Sequence, residues 1–356
     1  MPGTEERNAG FRWKLSDGDA YQPMLFSEEQ IVDRHVGAGE YRGLEFLHVN
    51  AQKIINEVPA ASRMDFRYTI NAYRGCSHAC QYCFARPTHD YLGLGRGEDF
   101  ERKLVVKVNA VERVRAELRS AKWHKDLIAM GTNTDPYQHA EGKYHLTQGI
   151  IAALAEVRNP FSILTKSTLI LRDLKALQAA SERTYVRCNM SIGTLDDEVW
   201  RATEPKTPHP LRRIEAVRRL NDAGIKTGVL IAPIIPGWSD DPSGLATLTE
   251  ACLEAGAVSV TPVALHLRPG TKEHFFEFVE RSKPDLLPSL RRKYRGSYLR
   301  SGEGSAVTAP VYRVLDERRI EATRPRSTPM GMPGSAGVGG RLPESSAEVE
   351  QLRLAT

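Results

Sequence analysis

Cysteine is scarce and odd in number, five in 356 residues. A secreted disulfide framework needs an even, regularly spaced set, so that class is excluded. Long apolar runs are also missing. No segment approaches the eighteen or so apolar residues of a membrane span. Met1 to Trp13 contains no apolar stretch that could act as a signal peptide, so a cytoplasmic address with no membrane partner is expected. Charge of one sign is lacking too: 49 basic residues stand against 44 acidic, a net of +5. That balance permits an acidic partner such as nucleic acid without demanding one. No internal repeat of solenoid period is visible. What remains, 41% hydrophobic and 26% charged residues, is the composition of an ordinary globular chain, long enough for one main core with extensions.

From residue 63 to 269, apolar β-rich runs alternate with stretches of helical periodicity, the pattern of repeated βα units around a parallel sheet. Six runs stand out: Phe66 to Ala72, Leu127 to Gly131, Phe161 to Thr165, Tyr185 to Ile192, Gly228 to Ile234 and Val258 to His266. Leu104 to Val108 is a seventh candidate, read as an accessory strand. Val111, Val114 and Leu118 recur at helical spacing, as do Leu146, Ile150 and Leu154, and Ile214, Val217 and Leu220. Residues 1–62 form an N-terminal extension with one predicted helix, Glu28 to His35. Residues 270–322 carry a predicted helix from Lys272 to Glu280 and then a basic segment with Arg291, Arg292, Lys293, Arg295 and Arg300. Residues 323–356 are rich in Gly, Pro and Ser at first and have too few large apolar residues to offset the entropy of ordering, which predicts a disordered tail.

Three of the cysteines, Cys76, Cys80 and Cys83, fall within eight residues, on the exit loop of the first predicted run. In parallel α/β folds such loops are where chemistry is built. Three thiolates on one loop can hold three irons of a four-iron cubane and leave the fourth open. The competing reading is a structural Cys₃His zinc site, with His78 or His89 as the fourth ligand, in a non-catalytic nucleic-acid-binding protein. Structural zinc normally pairs two separated hooks, and no second hook exists here. A cluster that only transfers electrons or senses oxygen is a third reading.

The spacing CxxxCxxC, with aromatic Tyr82 just before the third cysteine, resembles the radical S-adenosylmethionine superfamily. The resemblance implies a 4Fe-4S cluster on Cys76, Cys80 and Cys83, chelation of S-adenosylmethionine by the open iron, and an external electron donor. Reductive cleavage would then yield methionine and a 5′-deoxyadenosyl radical, which abstracts hydrogen from a substrate. Further marks from Pro59 to Pro236 resemble the spore photoproduct lyase and DNA-repair-photolyase-like branch: Asn71 to Arg86, Gly131 to Gln138, Thr165-Lys-Ser167 with Arg172-Asp173, Ser191-Ile-Gly, and Glu204-Pro205. The implied fold is a partial (β/α)6 barrel with N- and C-terminal extensions. The implied cofactor contacts are Tyr82; Thr132, Asn133, Thr134 and Asp135 at the methionine end; Lys166 on the methionine carboxylate; Ser191 on the ribose or carboxylate; and Ala232 by the adenine.

Two departures separate this chain from the lyase. The tyrosine expected directly after the third cysteine is Phe84, which cannot relay a hydrogen atom, and no cysteine lies between Phe84 and Arg187. Cys188 and Cys252 read as core residues. Other signals are weaker. Gly93-Leu-Gly-Arg-Gly97 is read as a loop, Asp196-Asp197 and Asp240-Asp241 as helix N-terminal acids, and Glu204 with Arg201 as an ion pair. The basic stretch from Leu290 to Arg300, interleaved with Tyr294 and Tyr298, is a candidate backbone-contacting and base-stacking surface, which makes nucleic acid the candidate substrate.

Overall fold

The computed structural model describes residues 31–59, 66–300 and 302–318. Its larger sheet has seven strands. Six of them run parallel and adjacent in sequence order: β4 (Tyr68–Ile70), β7 (Ile128–Met130), β8 (Phe161–Thr165), β9 (Val186–Ser191), β10 (Thr227–Ile234) and β11 (Val260–Ala264). β3 (Ile55–Glu57) adds an antiparallel edge beside β4. The order β11-β10-β9-β8-β7-β4-β3 leaves the two ends unpaired with each other, so the barrel is partial. All six expected runs contain strands of this sheet, each contributing apolar residues to the core, with β8 and β9 alternating buried and half-buried positions. Phe161, Ile163, Met190, Val229 and Ile231 are fully enclosed.

Helices cross between the strands and cover the outer face. They are α2 (Ala110–Leu118), α3 (His139–Tyr144), α4 (Leu146–Glu156), α5 (Leu174–Ser181), α6 (Asp197–Thr203), α7 (Pro210–Asp222) and α8 (Pro242–Glu254). α1 (Glu98–Arg102) precedes them on the cysteine side. The predicted helical stripes are their buried faces: Val114 and Leu118, Ile150 and Leu154, Ile214, Val217 and Leu220. The acidic pairs cap helices as read. Asp196 accepts from the Val199 N–H at 2.9 Å to start α6, and Asp241 accepts from the Gly244 N–H at 2.8 Å ahead of Pro242 to start α8. Cys188 and Cys252 are buried core residues on β9 and α8.

The N-terminal segment departs from expectation. The run read as a helix from Glu28 to His35 is, over its described part, β1 (Ile31–Val36), paired antiparallel with β2 (Glu45–Val49). A smaller sheet of order β1-β2-β6-β5 results, with β6 (Lys103–Lys107) as the expected accessory strand and β5 (Tyr73–Arg74) leading into the cysteines. β1 leaves five of its six residues exposed, so no apolar stripe identified it, and strand pairing overrode the local helical reading. On the other side, α9 (Thr271–Ser282) and α10 (Leu287–Lys293) form a satellite core with the loop after β11. α11 (Glu303–Glu317) seals the β11 edge with Val311 and Leu315. The predicted disordered tail, 323–356, lies outside the described residues. No described helix is long and apolar enough to cross a membrane.

Candidate active site

The cysteine loop leaves β5 through Gly75, whose φ is +74°. A Cβ there would come within 2.9 Å of the His89 ring and of the Phe100 carbonyl, so only glycine fits. Cys76 N–H then donates to Phe100 O at 2.9 Å, pinning the first cysteine to α1. Ala79 takes the left-handed conformation, φ +57°, an uncommon one for a residue with a Cβ. Arg86 over-determines it. This fully buried guanidinium donates to Cys80 O at 2.9 and 3.0 Å, to Ala79 O at 3.3 Å, to Arg96 O at 2.9 Å and to Glu101 at 2.7 Å. The loop is thereby wound around one charged side chain.

The loop after β7 braces it from the other side. Thr134 Oγ donates to Gly75 O at 2.7 Å, and Gln138 donates to the same carbonyl at 2.9 Å while accepting the Ser77 N–H at 3.0 Å. Asp135 accepts from Thr165 Oγ (2.6 Å), Lys166 N–H (2.7 Å) and Tyr137 N–H (2.8 Å), and its carboxylate faces His78 Nδ1 at 3.4 Å. Burial raises the Asp135 pKa, but the His78 charge and these hydrogen bonds outweigh it and hold it below the ordinary value. Thr134 and Asp135 thus position the cysteine loop. Asn133 is tied through its N–H to the Asn71 side chain at 3.2 Å, and Thr132 sits beside it, half-buried. Gly131 makes this crossing possible, since at φ +91° a Cβ would strike Leu164 O at 2.0 Å.

The ends of β8, β9 and β10 bring the remaining candidates together. Lys166 Nζ lies 2.5 Å from Ser191 Oγ, 3.3 Å from Ala232 O and 3.2 Å from Glu204, and 5.6 Å from the centroid of the Tyr82 ring. Ser191 Oγ donates to Ala232 O at 2.9 Å. Tyr82 of the cysteine loop donates its hydroxyl proton to Glu204. The expected partnership of Glu204 with Arg201 is not formed. Arg201 is on the outer face of α6, bonded to Asp197 at 2.6 Å. Glu204 turns inward to the buried Arg213 at 2.5 Å, because the chain bends at Pro205 and only the inner face offers a cation to match its burial. Burial pushes the Glu204 carboxyl up. Arg213, then Lys166, then the Tyr82 hydroxyl outweigh that and bring it to about 2.

Several of these residues were not legible as site residues. Arg213 reads as one arginine among four in a helix, Arg86 as the end of a motif, and Glu141 as a surface acid. Glu141 instead accepts from Tyr73 at 2.5 Å and from Arg172 at 2.7 Å, while Arg172 also holds Asp173 at 2.8 Å. Only Arg213 carried a signal, a charged residue inside the apolar stripe of α7, which is costly unless paired.

The thiols meet the demands of an iron-sulfur cluster. All three are free, Cys76 and Cys80 are buried and Cys83 is half-buried. Burial pushes Cys80 up to about 12 and also raises Cys76 and Cys83, so they become thiolates only against a strongly positive ligand. Among the described residues, three potential ligand atoms lie mutually within 4.8 Å only at Asp33, His35 and His48, so the three sulfurs do not converge on one ion. Ligands of a single zinc must lie closer, at bonds of about 2.3 Å. Both histidines of the zinc reading have one ring nitrogen engaged, while His89 Nδ1 is buried without a hydrogen-bond partner. His89 Nε2 is 3.0 Å from Lys103 O, and His78 faces Asp135.

Comparison with known proteins agrees with this geometry. Residues 70–246 match the radical SAM superfamily. An uncharacterized protein of Mycobacterium tuberculosis, Rv2578c, is 43% identical over 288 residues, 81% of this chain and 82% of that one. The Radical SAM Nalpha-GlyT isomerase of Pseudomonas phage M6 is 25% identical over 166 residues, 46% of this chain and 32% of that one. In fold, the chain resembles spore photoproduct lyase complexed with dinucleoside spore photoproduct, with a TM-score of 0.57 over 76% of this chain and 79% of that one, at 18% identity. With its three-cysteine loop seated at the strand ends of a partial barrel, the chain belongs to the radical SAM superfamily and is an enzyme of that kind.

Proposed function

We propose that Cys76, Cys80 and Cys83 hold a 4Fe-4S cluster at which S-adenosylmethionine is reductively cleaved, and that hydrogen is abstracted from a nucleic-acid substrate. When bound, the cluster supplies one electron to the sulfonium, giving methionine and a 5′-deoxyadenosyl radical. The chain's share is binding, orientation and exclusion of water. The observation that carries the reading is the meeting of Tyr82 with Lys166 and Glu204, which sets the cysteine loop directly over the polar ends of β8, β9 and β10. Lys166 offers the cation for a methionine carboxylate, with Ser191 beside it. The Ala232 carbonyl, half-buried, is an acceptor for an adenine amine. Thr132 and Asn133 flank the methionine end.

Support for a nucleic-acid substrate comes from the far side of the loop. Phe84, His266 and Tyr298 are stacked or tilted in series, with ring centroids 6.1 and 5.7 Å apart, and Arg268 lies over the Phe84 ring. Such a planar series beside a cation suits an unstacked base. Arg291, Arg292, Arg295 and Arg300 are exposed at the same end of the chain. Tyr294 is withdrawn from this surface, because it is buried with its hydroxyl on Leu265 O at 2.6 Å. A fold like that of a lyase bound to a dinucleoside photoproduct adds to the case.

The test is anaerobic reconstitution with iron and sulfide, reduction, and assay of 5′-deoxyadenosine with DNA, RNA and peptide offered in turn. Deuterium passing from a labelled nucleic acid into the nucleoside is the expected result. No deoxyadenosine from cluster-loaded, reduced protein overturns the cofactor reading. Deuterium transfer from peptide alone overturns the substrate class only.

A further inference from the structure

We propose a second metal site, at the opposite edge of the small sheet from the strand that leads into the cysteine loop, in which Asp33, His35 and His48 bind one divalent transition ion of the zinc class. Asp33 and His35 lie on β1, two residues apart and therefore on one face of the strand. The β1–β2 register slips between Ile31 and Asp33, so that Asp33 stands opposite His48 instead of one residue out of step. Such an irregularity re-aims side chains, and here it gathers all three on the same face. Asp33 Oδ2 is 3.0 Å from His35 Nε2 and 3.7 Å from His48 Nδ1, and the three ligand atoms are mutually within 4.8 Å. An ion with bonds of about 2.0–2.2 Å to nitrogen and oxygen spaces its ligands by roughly 3.0–3.6 Å, which these separations bracket.

A second observation concerns the outer side of His48. Its Nε2 is 2.7 Å from the hydroxyl of Tyr144 on α3. With the proton on Nε2 donated to that oxygen, the Nδ1 lone pair turns to Asp33, the arrangement by which metal-binding histidines are usually oriented. The nearby cations do not close the site. Lys143 lies over the Phe46 and Tyr144 rings, at 5.3 and 5.5 Å from their centroids, and Arg34, next along β1, reaches Glu45 at 3.5 Å. Asp33 and His35 are half exposed, so an ion can enter from solvent and retain a water in the position the protein leaves open. Two histidines and one carboxylate are borderline ligands, matched to zinc, iron(II), cobalt(II) or nickel(II) ahead of calcium or magnesium. Bound there, the ion fastens β1 to β2, and through β6 to β5, the strand that delivers Cys76.

The test uses the full chain with its cluster loaded, stripped with chelator and dialysed anaerobically against buffered zinc. One zinc per chain beyond the cluster iron is expected, with nitrogen and oxygen but no sulfur in its X-ray absorption shell. His35→Ala and Asp33→Asn, both at exposed positions where folding is not at risk, should weaken zinc binding at least about 100-fold at unchanged iron content. Tyr144→Phe should weaken it about tenfold. No bound zinc, zinc bound equally by His35→Ala and Asp33→Asn, or a sulfur-containing shell would each overturn the proposal.

Discussion

The two sheets are made of similar residues and are placed under opposite constraints. The seven-stranded sheet carries most of the core, and although Arg187 and Asn189 stand within β9, its largest polar group gathers at the strand ends. Those ends are densely bonded: Lys166, Ser191, Glu204 and Arg213 form one connected group with Tyr82. The four-stranded sheet has a wet edge, and its own small core is Leu47, Val49 and Val105. Its polar residues stand on the strands themselves, as Asp33, His35 and His48 do. Burial of most of a sheet concentrates its charged groups at the termini of its strands, whereas a partly wet sheet can carry them anywhere along the strands.

The sharpest way to break this comparison is at the thiols. Cys80→Ala should abolish cluster iron and with it all deoxyadenosine formation. Cys252→Ala removes an equally buried thiol from α8, away from the strand ends, and should leave iron and turnover near wild type. Iron content and single-turnover deoxyadenosine read both. Comparable losses in the two variants would mean that the cysteine loop is not the cluster site.

Next in size is the strand-end ion group. Glu204→Gln leaves the buried Arg213 and the half-buried Lys166 without their counter-charge, which should cost about 3–5 kcal/mol in urea unfolding of cluster-free protein. The pH dependence follows from the same group. The Glu204 carboxyl titrates near 2 in the fold and near 4.5 when unfolded, so the unfolded state binds the extra proton between those values. Its stabilisation is therefore complete above about pH 5 and is lost as pH falls toward 2. In Glu204→Gln the stability curve should be flatter between pH 5 and 2. An unchanged slope would show that other carboxylates govern acid unfolding.

How far each region could be read from sequence follows the same division. The six parallel strands were legible because each is a short β-rich run with apolar residues, several of them ending in Gly, Asn, Ser, Thr or Pro, and the cysteines because their spacing is improbable without a ligand. Tyr82, Lys166 and Ser191 were legible only through family resemblance, and their convergence depends on strand order. β1 was not legible, since Ile31-Val-Asp-Arg-His-Val36 has no apolar alternation and takes its form from pairing with β2. Glu204 was singled out, but its partner was misassigned. Arg201 is nearer in sequence, whereas Arg213 lies one helix further and meets Glu204 only after α7 folds back.

A packing pair tests the sheets directly. Ile163→Ala opens a cavity in the middle of the large sheet, where no neighbour can move in, and should cost about 3–5 kcal/mol. Val105→Ala removes less volume from a three-residue cluster beside solvent, and about 1–2 kcal/mol is expected. Equal costs would mean that the small sheet is as much a part of the core as the large one.

The smallest effect is expected where the large sheet is itself wet. At its β3–β4 edge, Arg67 bonds Glu57 at 2.8 Å with both side chains at least half exposed, and the guanidinium also lies 5.6 Å from the Tyr68 ring centroid. Water and salt screen such a pair, so Arg67→Ala should cost about 0.2–1 kcal/mol, and less again at high ionic strength. A cost near that of Glu204→Gln would overturn the rule drawn from the two sheets, because a charge at a solvated edge would then weigh as much as one enclosed at the strand ends.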